Sequence, residues 1–367
     1  MTSWLTNFNA FQAESWRKHA TSPGKVNIDL LKDITLQTLY GLASDDRVES
    51  RVLEQIDEHF NLTLGPFETA NQEALGAGQM LMVQNLESFI PAVSEWLSRE
   101  FSFLPRWRIE DVMATAANKG GNCGAHFDQY DVFLVQIRGH KSWSLDDGGH
   151  TASELSQEAD IRLLEQFEAT HFLQQHPGDV LYIPPGVGHH GIASDDSITL
   201  SVGIRNPLLS EMASYIADML ILEGGEGASL NDQLLGTEID PLEVANLGST
   251  LSRALTQPNI MNRWYGCYMT EPRDPELLHY PESEIDPGII SSWLASRTSL
   301  TLELPARIAL QADTLFVNGE ALHLGRKVPW LLELQQQRSV AVNQLGDDID
   351  VLMYLAESGA LAGFPPL

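Results

Sequence analysis

The sequence predicts an α+β chain: a double-stranded β-helix, or jelly-roll, core preceded by helices and followed by a helical region and a C-terminal winged-helix-like module. Three observations carry this. Between Val112 and Ile204 short apolar runs recur (Val112 to Ala116, Val132 to Ile137, Val180 to Ile183, Ile198 to Ile204), most beside Gly, Pro or Asp, as in an antiparallel sandwich or barrel. On either side the apolar spacing turns helical. At the C-terminal end helices alternate with one small hairpin.

Residues 1–207 hold the N-terminal helices and the barrel. Helical stretches are expected over Arg47 to Phe60 and Gln79 to Arg99, with turns at Thr21-Ser22-Pro23-Gly24 and Gly76-Ala77-Gly78. Within Ser88 to Phe101, Phe89, Val93, Trp96 and Leu97 recur at helical spacing. Residues 208–270 form a helical region: Leu208 to Leu222 carries Met212, Tyr215, Ile216, Met219 and Leu220, a Gly-rich break follows at 223–227, and 241–267 read as one or two more helices. Apolar residues recur there beyond what a linker needs, which predicts a homodimer through this region. Pro272 and Pro275 mark the boundary to residues 271–367. That module is expected to contain helix Ile285 to Ser296, strand Leu300 to Leu304, hairpin Thr314 to Leu324 turned at Asn318-Gly319, and helix Asp347 to Ser358.

Composition excludes several classes. The chain has 367 residues, enough for two or three domains, and no apolar run approaches the roughly 18 residues of a membrane span. The N-terminus lacks a basic region leading into an apolar stretch, so a soluble, unexported, cytoplasmic protein is expected. Cys123 and Cys267, the only cysteines, lie far apart and outside any CxxC, which argues against a disulfide framework or a thiolate zinc site. A formal charge of -28 would repel a phosphate backbone, so nucleic acid is a poor direct substrate. The C-terminal module is itself net acidic, so the same holds for its winged helix.

The chemistry is concentrated in two blocks. In Gly124 to Phe133, His126 and Asp128 are two residues apart on a predicted strand, so both side chains point to one face. A neutral imidazole and a carboxylate are two-thirds of a facial triad, which leaves three iron(II) positions open for a bidentate co-substrate and dioxygen. The second block runs from Gly178 through Pro184, Pro185 and Gly186 to His189, and it resembles the second cupin motif, G-x5-P-x-G-x2-H, at every specified position; the later Asn of that motif is Ala193 here. Gly120 before His126 resembles the opening of the first cupin motif, with Asp128 where that motif has its second His, as in the oxygenase branch. Both blocks in order make His126, Asp128 and His189 the candidate metal ligands. The neighbouring His190 competes, and the motif register selects His189.

If the co-substrate is 2-oxoglutarate, its distal carboxylate needs a cation inside the barrel, since an unpaired buried carboxylate is costly. Arg138 and Lys141 are the candidates. Lys141 opens an apolar strand and shares parity with Trp143, whereas Arg138 lies in the expected turn.

The chain resembles the JmjC and cupin-type ribosomal oxygenases, and the HxDQYDVF block from His126 to Phe133 looks closest to the bacterial arginine hydroxylases among them. The carrying residues are that block, Gly139 to Trp143, the Leu181 to His189 block, and Ser201 to Arg205, within an order of parts that covers nearly the whole chain. The resemblance implies an iron(II)- and 2-oxoglutarate-dependent oxygenase that uses O2 to hydroxylate an Arg, or a His, side chain of a ribosomal protein. It also implies that the residue at Lys141 binds the distal carboxylate. The family usually adds a hydroxyl from the strand before the HxD, where this chain has Ala114, Thr115, Ala116 and Ala117; only Thr115 could serve there, with Ser201 a second candidate. The rival readings are a JmjC-type N-methyl-lysine demethylase and a non-catalytic metal-binding cupin scaffold.

Overall fold

The computed structural model describes residues 4–5, 8–57, 59–68, 75–156, 161, 163–222 and 258–365, together with positions 245, 248, 249 and 252. Its barrel follows from period-2 burial. Strands β5 (Ile109–Ala117), β6 (Val132–Arg138) and β11 (Ser197–Ile204) send alternate side chains to opposite faces. Val112, Ala114, Ala116, Phe133, Val135, Leu200 and Val202 face outward into the largest core, where Leu39, Val93, Trp96 and Leu97 of the N-terminal helices cover them. The intervening residues, among them Asp111, Met113, Thr115, Leu134, Thr199 and Ser201, line the barrel interior.

The outer sheet has eight strands in the order β1 (Thr21–Lys25), β9 (Asp179–Ile183), β6, β11, β5, β4 (Gln79–Val83), β2 (Ser50–Ile56), β3 (His59–Leu64). A three-stranded sheet, β10 (Gly188–Ala193), β7 (Lys141–Asp146), β8 (His171–Gln175), closes the other side. Residues from both sheets, including Leu134, Trp143, Leu145, Leu181 and Ile183, pack into one cluster between them. This is the double-stranded β-helix that the strand-and-turn texture predicts.

The N-terminal hundred residues differ from expectation. Helices α1 (Phe8–Glu14), α2 (Leu36–Ala43), α3 (Leu86–Phe89) and α4 (Pro91–Glu100) are present, but Arg47 to Phe60 is not helical. It forms β2 and enters β3, and Leu53 of β2, paired to Met80 of β4, is buried. Sheet pairing overrides local helical spacing here. Gln79 to Arg99 is likewise divided: Met80 to Val83 are buried in succession, the signature of a strand covered on both faces, and helix begins only at Leu86. The expected turn at 21–24 is strand β1, whose Pro23 is tolerated on a sheet edge.

Beyond the barrel, α5 (Leu209–Leu222) and α6 (Pro258–Thr270) bear out the helical reading at the two ends of residues 208–270. The Gly-rich break and most of 241–257 lie outside the described residues. Helix α6 rests on the C-terminal hairpin, and a Cβ at Gly266 would fall 2.3 Å from the Phe316 ring. The C-terminal module contains α7 (Pro287–Leu294), β12 (Ser299–Thr301), β13 (Ile308–Gln311), β14 (Thr314–Val317), β15 (Glu320–His323), α8 (Trp330–Gln337), β16 (Ser339–Ala341) and α9 (Ile349–Glu357). Asp286 caps α7 by accepting the backbone N–H of Gly288 and Ile289. Asn318 and Gly319, with φ of 49° and 91°, form the expected tight turn between β14 and β15. Arg307, fully desolvated, donates to the Glu110 carbonyl and so docks this module on β5.

Candidate metal and co-substrate site

His126 and Asp128 lie in an extended segment that precedes β6, not on a strand as predicted; β6 starts only at Val132. The two-residue spacing still brings both side chains to one cavity. His126 and His189 are locked opposite one another by a pair of backbone hydrogen bonds, His126 N–H to His189 O at 3.1 Å and His189 N–H to His126 O at 2.7 Å. Asp128 is tethered through its carbonyl, which accepts Gly186 N–H at 2.9 Å. The Pro-Pro-Gly turn therefore holds Asp128, and the residue three positions after it, His189, holds His126. Gly124 sets the approach to His126: its φ is 75°, and a Cβ there would meet Leu163 at 2.6 Å.

The donor set fits a divalent cation. The Nδ1–H of His126 faces the Gly124 carbonyl at 3.0 Å, and that of His189 faces the Val187 carbonyl at 3.1 Å. This fixes the tautomer and leaves each Nε2 lone pair free. One ligand atom from each of His126, Asp128 and His189 lies within 4.8 Å of the others, with His189 Nε2 3.7 Å from Asp128 Oδ2. Burial, then the neighbouring His126, holds the His189 pKa well below the ordinary value, so its ring is neutral. Burial also opposes a charge on His126, but Cys123 and then Asp128 outweigh it and raise its pKa, so a cation bound at Nε2 would displace a proton from this ring.

These residues line a cavity of about 590 Å³. Lys141, at the start of β7 as predicted, is 4% exposed and also lines it, with Nζ 4.7 Å from the centroid of the Trp143 ring. Burial lowers the Lys141 pKa. Thr115 and Ser201 both reach the same cavity, while Thr199, directly opposite Thr115 in the sheet, donates its hydroxyl to Gln136 Oε1 at 2.9 Å. Arg138 points elsewhere, donating to the carbonyls of Ile34 and Lys32. His190 turns aside too, to Asn122 Oδ1 at 3.1 Å.

Several cavity residues escape the sequence reading. Cys123 places its sulfur 3.8 Å from His126 Nδ1, and Tyr130 lines the same cavity beside Asp128. Asp111, 9% exposed, has an Oδ2 that accepts no hydrogen bond, and Arg273 Nη1 stands 3.7 Å away from it. Burial, then Glu87, outweigh Arg273 and push the Asp111 pKa up to about 7. Strand parity was the available signal, because Asp111, Met113 and Thr115 are successive inward positions of β5.

Comparison with known proteins agrees with this geometry. Residues 96–212 match a JmjC domain and 253–362 a ROXA-like winged helix. The chain is 28% identical to the ribosomal protein uL16 3-hydroxylase of Escherichia coli, across 97% of this chain and 95% of that one. The crystal structure of E. coli YcfD superposes with a TM-score of 0.84 at 28% identity, covering 98% of this chain and 99% of that one. A YcfD structure in complex with cobalt and 2-oxoglutarate superposes with a TM-score of 0.82 at 27% identity, covering 98% of each chain. Barrel and order of parts thus coincide: the chain carries a JmjC domain followed by a ROXA-like winged helix, and over nearly its whole length it is homologous to the ribosomal protein uL16 3-hydroxylase of E. coli.

Proposed function

We propose that this protein is an iron(II)- and 2-oxoglutarate-dependent oxygenase that hydroxylates an arginine side chain of a ribosomal protein. The observation that carries the reading is the shared cavity: one ring nitrogen from each of His126 and His189 and a carboxylate oxygen of Asp128 within 4.8 Å of one another, with the buried Lys141 lining the same walls. When bound, iron(II) with dioxygen couples decarboxylation of 2-oxoglutarate, to succinate and CO2, to insertion of one oxygen atom into a C–H bond.

In this reading His126, Asp128 and His189 hold the metal, and the family relationship to proteins solved with cobalt and 2-oxoglutarate supports it. Lys141 pairs with the distal carboxylate, and Thr115 or Ser201 supplies a hydroxyl to it. Asp111 argues for a cationic target. Its carboxylate is buried, under-satisfied and in the same cavity, so a guanidinium entering from the mouth would find an acceptor that no hydrogen bond occupies. The net charge of -28 favours capture of a basic protein segment and disfavours direct nucleic-acid contact. The relative's named substrate, uL16, places a ribosomal protein first among candidates.

A homodimer through residues 208–270, acting in the cytoplasm, completes the reading. Among the described residues no helix is long and apolar enough to cross a membrane. Incubating the iron-loaded protein with 2-oxoglutarate and basic ribosomal peptides tests the assignment. Succinate formation matched by a gain of one oxygen on arginine is the expected result. Formaldehyde release from methyl-lysine peptides would instead identify a demethylase, and metal binding without turnover a scaffold.

A further inference from the structure

We propose that Trp143 is a positioning residue for co-substrate binding: its indole face holds the Lys141 ammonium inside the cavity, free to receive the distal carboxylate of 2-oxoglutarate. The inference rests on the reading of Lys141 given above. Lys141 is 4% exposed, so its ammonium has lost most of its hydration, and among the described residues no carboxylate forms an ion pair with it. What it has is the Trp143 ring, 4.7 Å from Nζ to centroid. A ring quadrupole stabilises a desolvated cation without neutralising it. A carboxylate at the same place would compete with the co-substrate; an aromatic face does not.

The ring is fixed from both sides. Its indole N–H donates to Gln175 Oε1 at 2.7 Å, and the Gln175 amide donates in turn to the Leu134 carbonyl at 3.0 Å and the Asp179 carbonyl at 3.3 Å. On the neighbouring strand Gly191 is the register partner of Trp143. A Cβ at Gly191 would lie 2.5 Å from the ring and 2.8 Å from Lys141 Cε, so glycine leaves room for both side chains. A tryptophan that merely filled the core would need neither the hydrogen-bonded tether nor the lysine stem against it.

The test uses the full-length protein loaded with Mn(II), without O2, titrated with 2-oxoglutarate and followed by calorimetry and tryptophan fluorescence. W143L should bind 2-oxoglutarate roughly 2- to 30-fold more weakly, the range expected for loss of a cation–π contact, with W143F intermediate. Affinity for Mn(II) should not change. G191A, which displaces ring and lysine together, should reproduce the loss of 2-oxoglutarate affinity. The fluorescence change that 2-oxoglutarate causes in the wild type should be absent from W143F, because the carboxylate arrives beside the ammonium that this indole holds. Wild-type affinity in W143L, or a full fluorescence response in W143F, would overturn the proposal; should W143L not fold, W143F and G191A carry the test. K141M separates the two levels. Tight 2-oxoglutarate binding by K141M would refute the anchor itself, whereas weak binding by K141M beside normal binding by W143L and W143F would refute only the role of Trp143.

Discussion

Tyr182 donates its hydroxyl proton to Asp131 at 2.5 Å, at a carboxylate that is completely buried three residues from Asp128. Arg17 completes the arrangement, with Nε donating to Asp131 Oδ2 at 3.0 Å and its backbone N–H to Tyr182 Oη at 2.8 Å. Strand β9 and the N-terminal segment thereby grip the chain just after His126 and Asp128. Tyr182→Phe should destabilise the fold by about 1–3 kcal/mol, because it leaves the buried carboxylate one donor short. A lowered urea midpoint with an unchanged m-value would show this, and a midpoint equal to wild type would mean that water replaces the donor.

Substitutions at the three ligands should act alike. His126→Ala, Asp128→Ala and His189→Ala should each abolish turnover, since each removes one of three protein ligands. His190→Ala should keep its metal, because that ring bonds Asn122 instead. Metal content after dialysis discriminates, and iron retained by His189→Ala but lost by His190→Ala would invert the assignment.

Lys141→Ala should weaken 2-oxoglutarate binding by roughly 10- to 150-fold, the equivalent of about 1.5–3 kcal/mol for a charge-assisted contact, with metal affinity intact. Arg138→Ala should leave 2-oxoglutarate affinity at the wild-type value, since its guanidinium is committed to carbonyls of the N-terminal region. Isothermal titration of both variants settles which cation is the anchor.

Asp111 predicts a pH dependence whose sign is fixed by its raised pKa, about 7. Capture of a cationic target needs the carboxylate, so affinity for a basic peptide should fall as pH drops through about 7. Asp111→Asn should bind weakly at every pH without that dependence. Linkage gives the opposite sign for stability. The unfolded chain releases this proton near the ordinary Asp value of about 3.9 and the folded chain near 7, so ionising Asp111 reduces stability progressively across that interval. Asp111→Asn should therefore be more stable than wild type at pH 8, measured as Tm, and a less stable variant would contradict the buried, under-satisfied state.

How much of this was legible in the sequence depended on whether local pattern or tertiary pairing decided the outcome. The His126–Asp128 pair and the Pro184 to His189 turn were readable because extended parity and a Pro-Gly stop are local properties, and the Asn318-Gly319 hairpin for the same reason. Arg47 to Phe60 was misread because its place in the sheet is set by Met80 to Val83, a partner that no window over 47–60 contains. Lys141 was found by strand parity. The same argument applied to β5 reaches Asp111, but an acid in a strand reads as solvent-exposed until the fold shows it buried beside Arg273. Gly191 depended wholly on which strands come together.

The most direct test of the account is mass spectrometry of ribosomal proteins from cells with and without this gene. The account predicts one oxygen atom on an arginine of a ribosomal protein, present in the parent, absent from the deletion, and restored by the wild-type gene but not by one carrying His126→Ala. Identical ribosomal protein masses in the parent and deletion strains would contradict it.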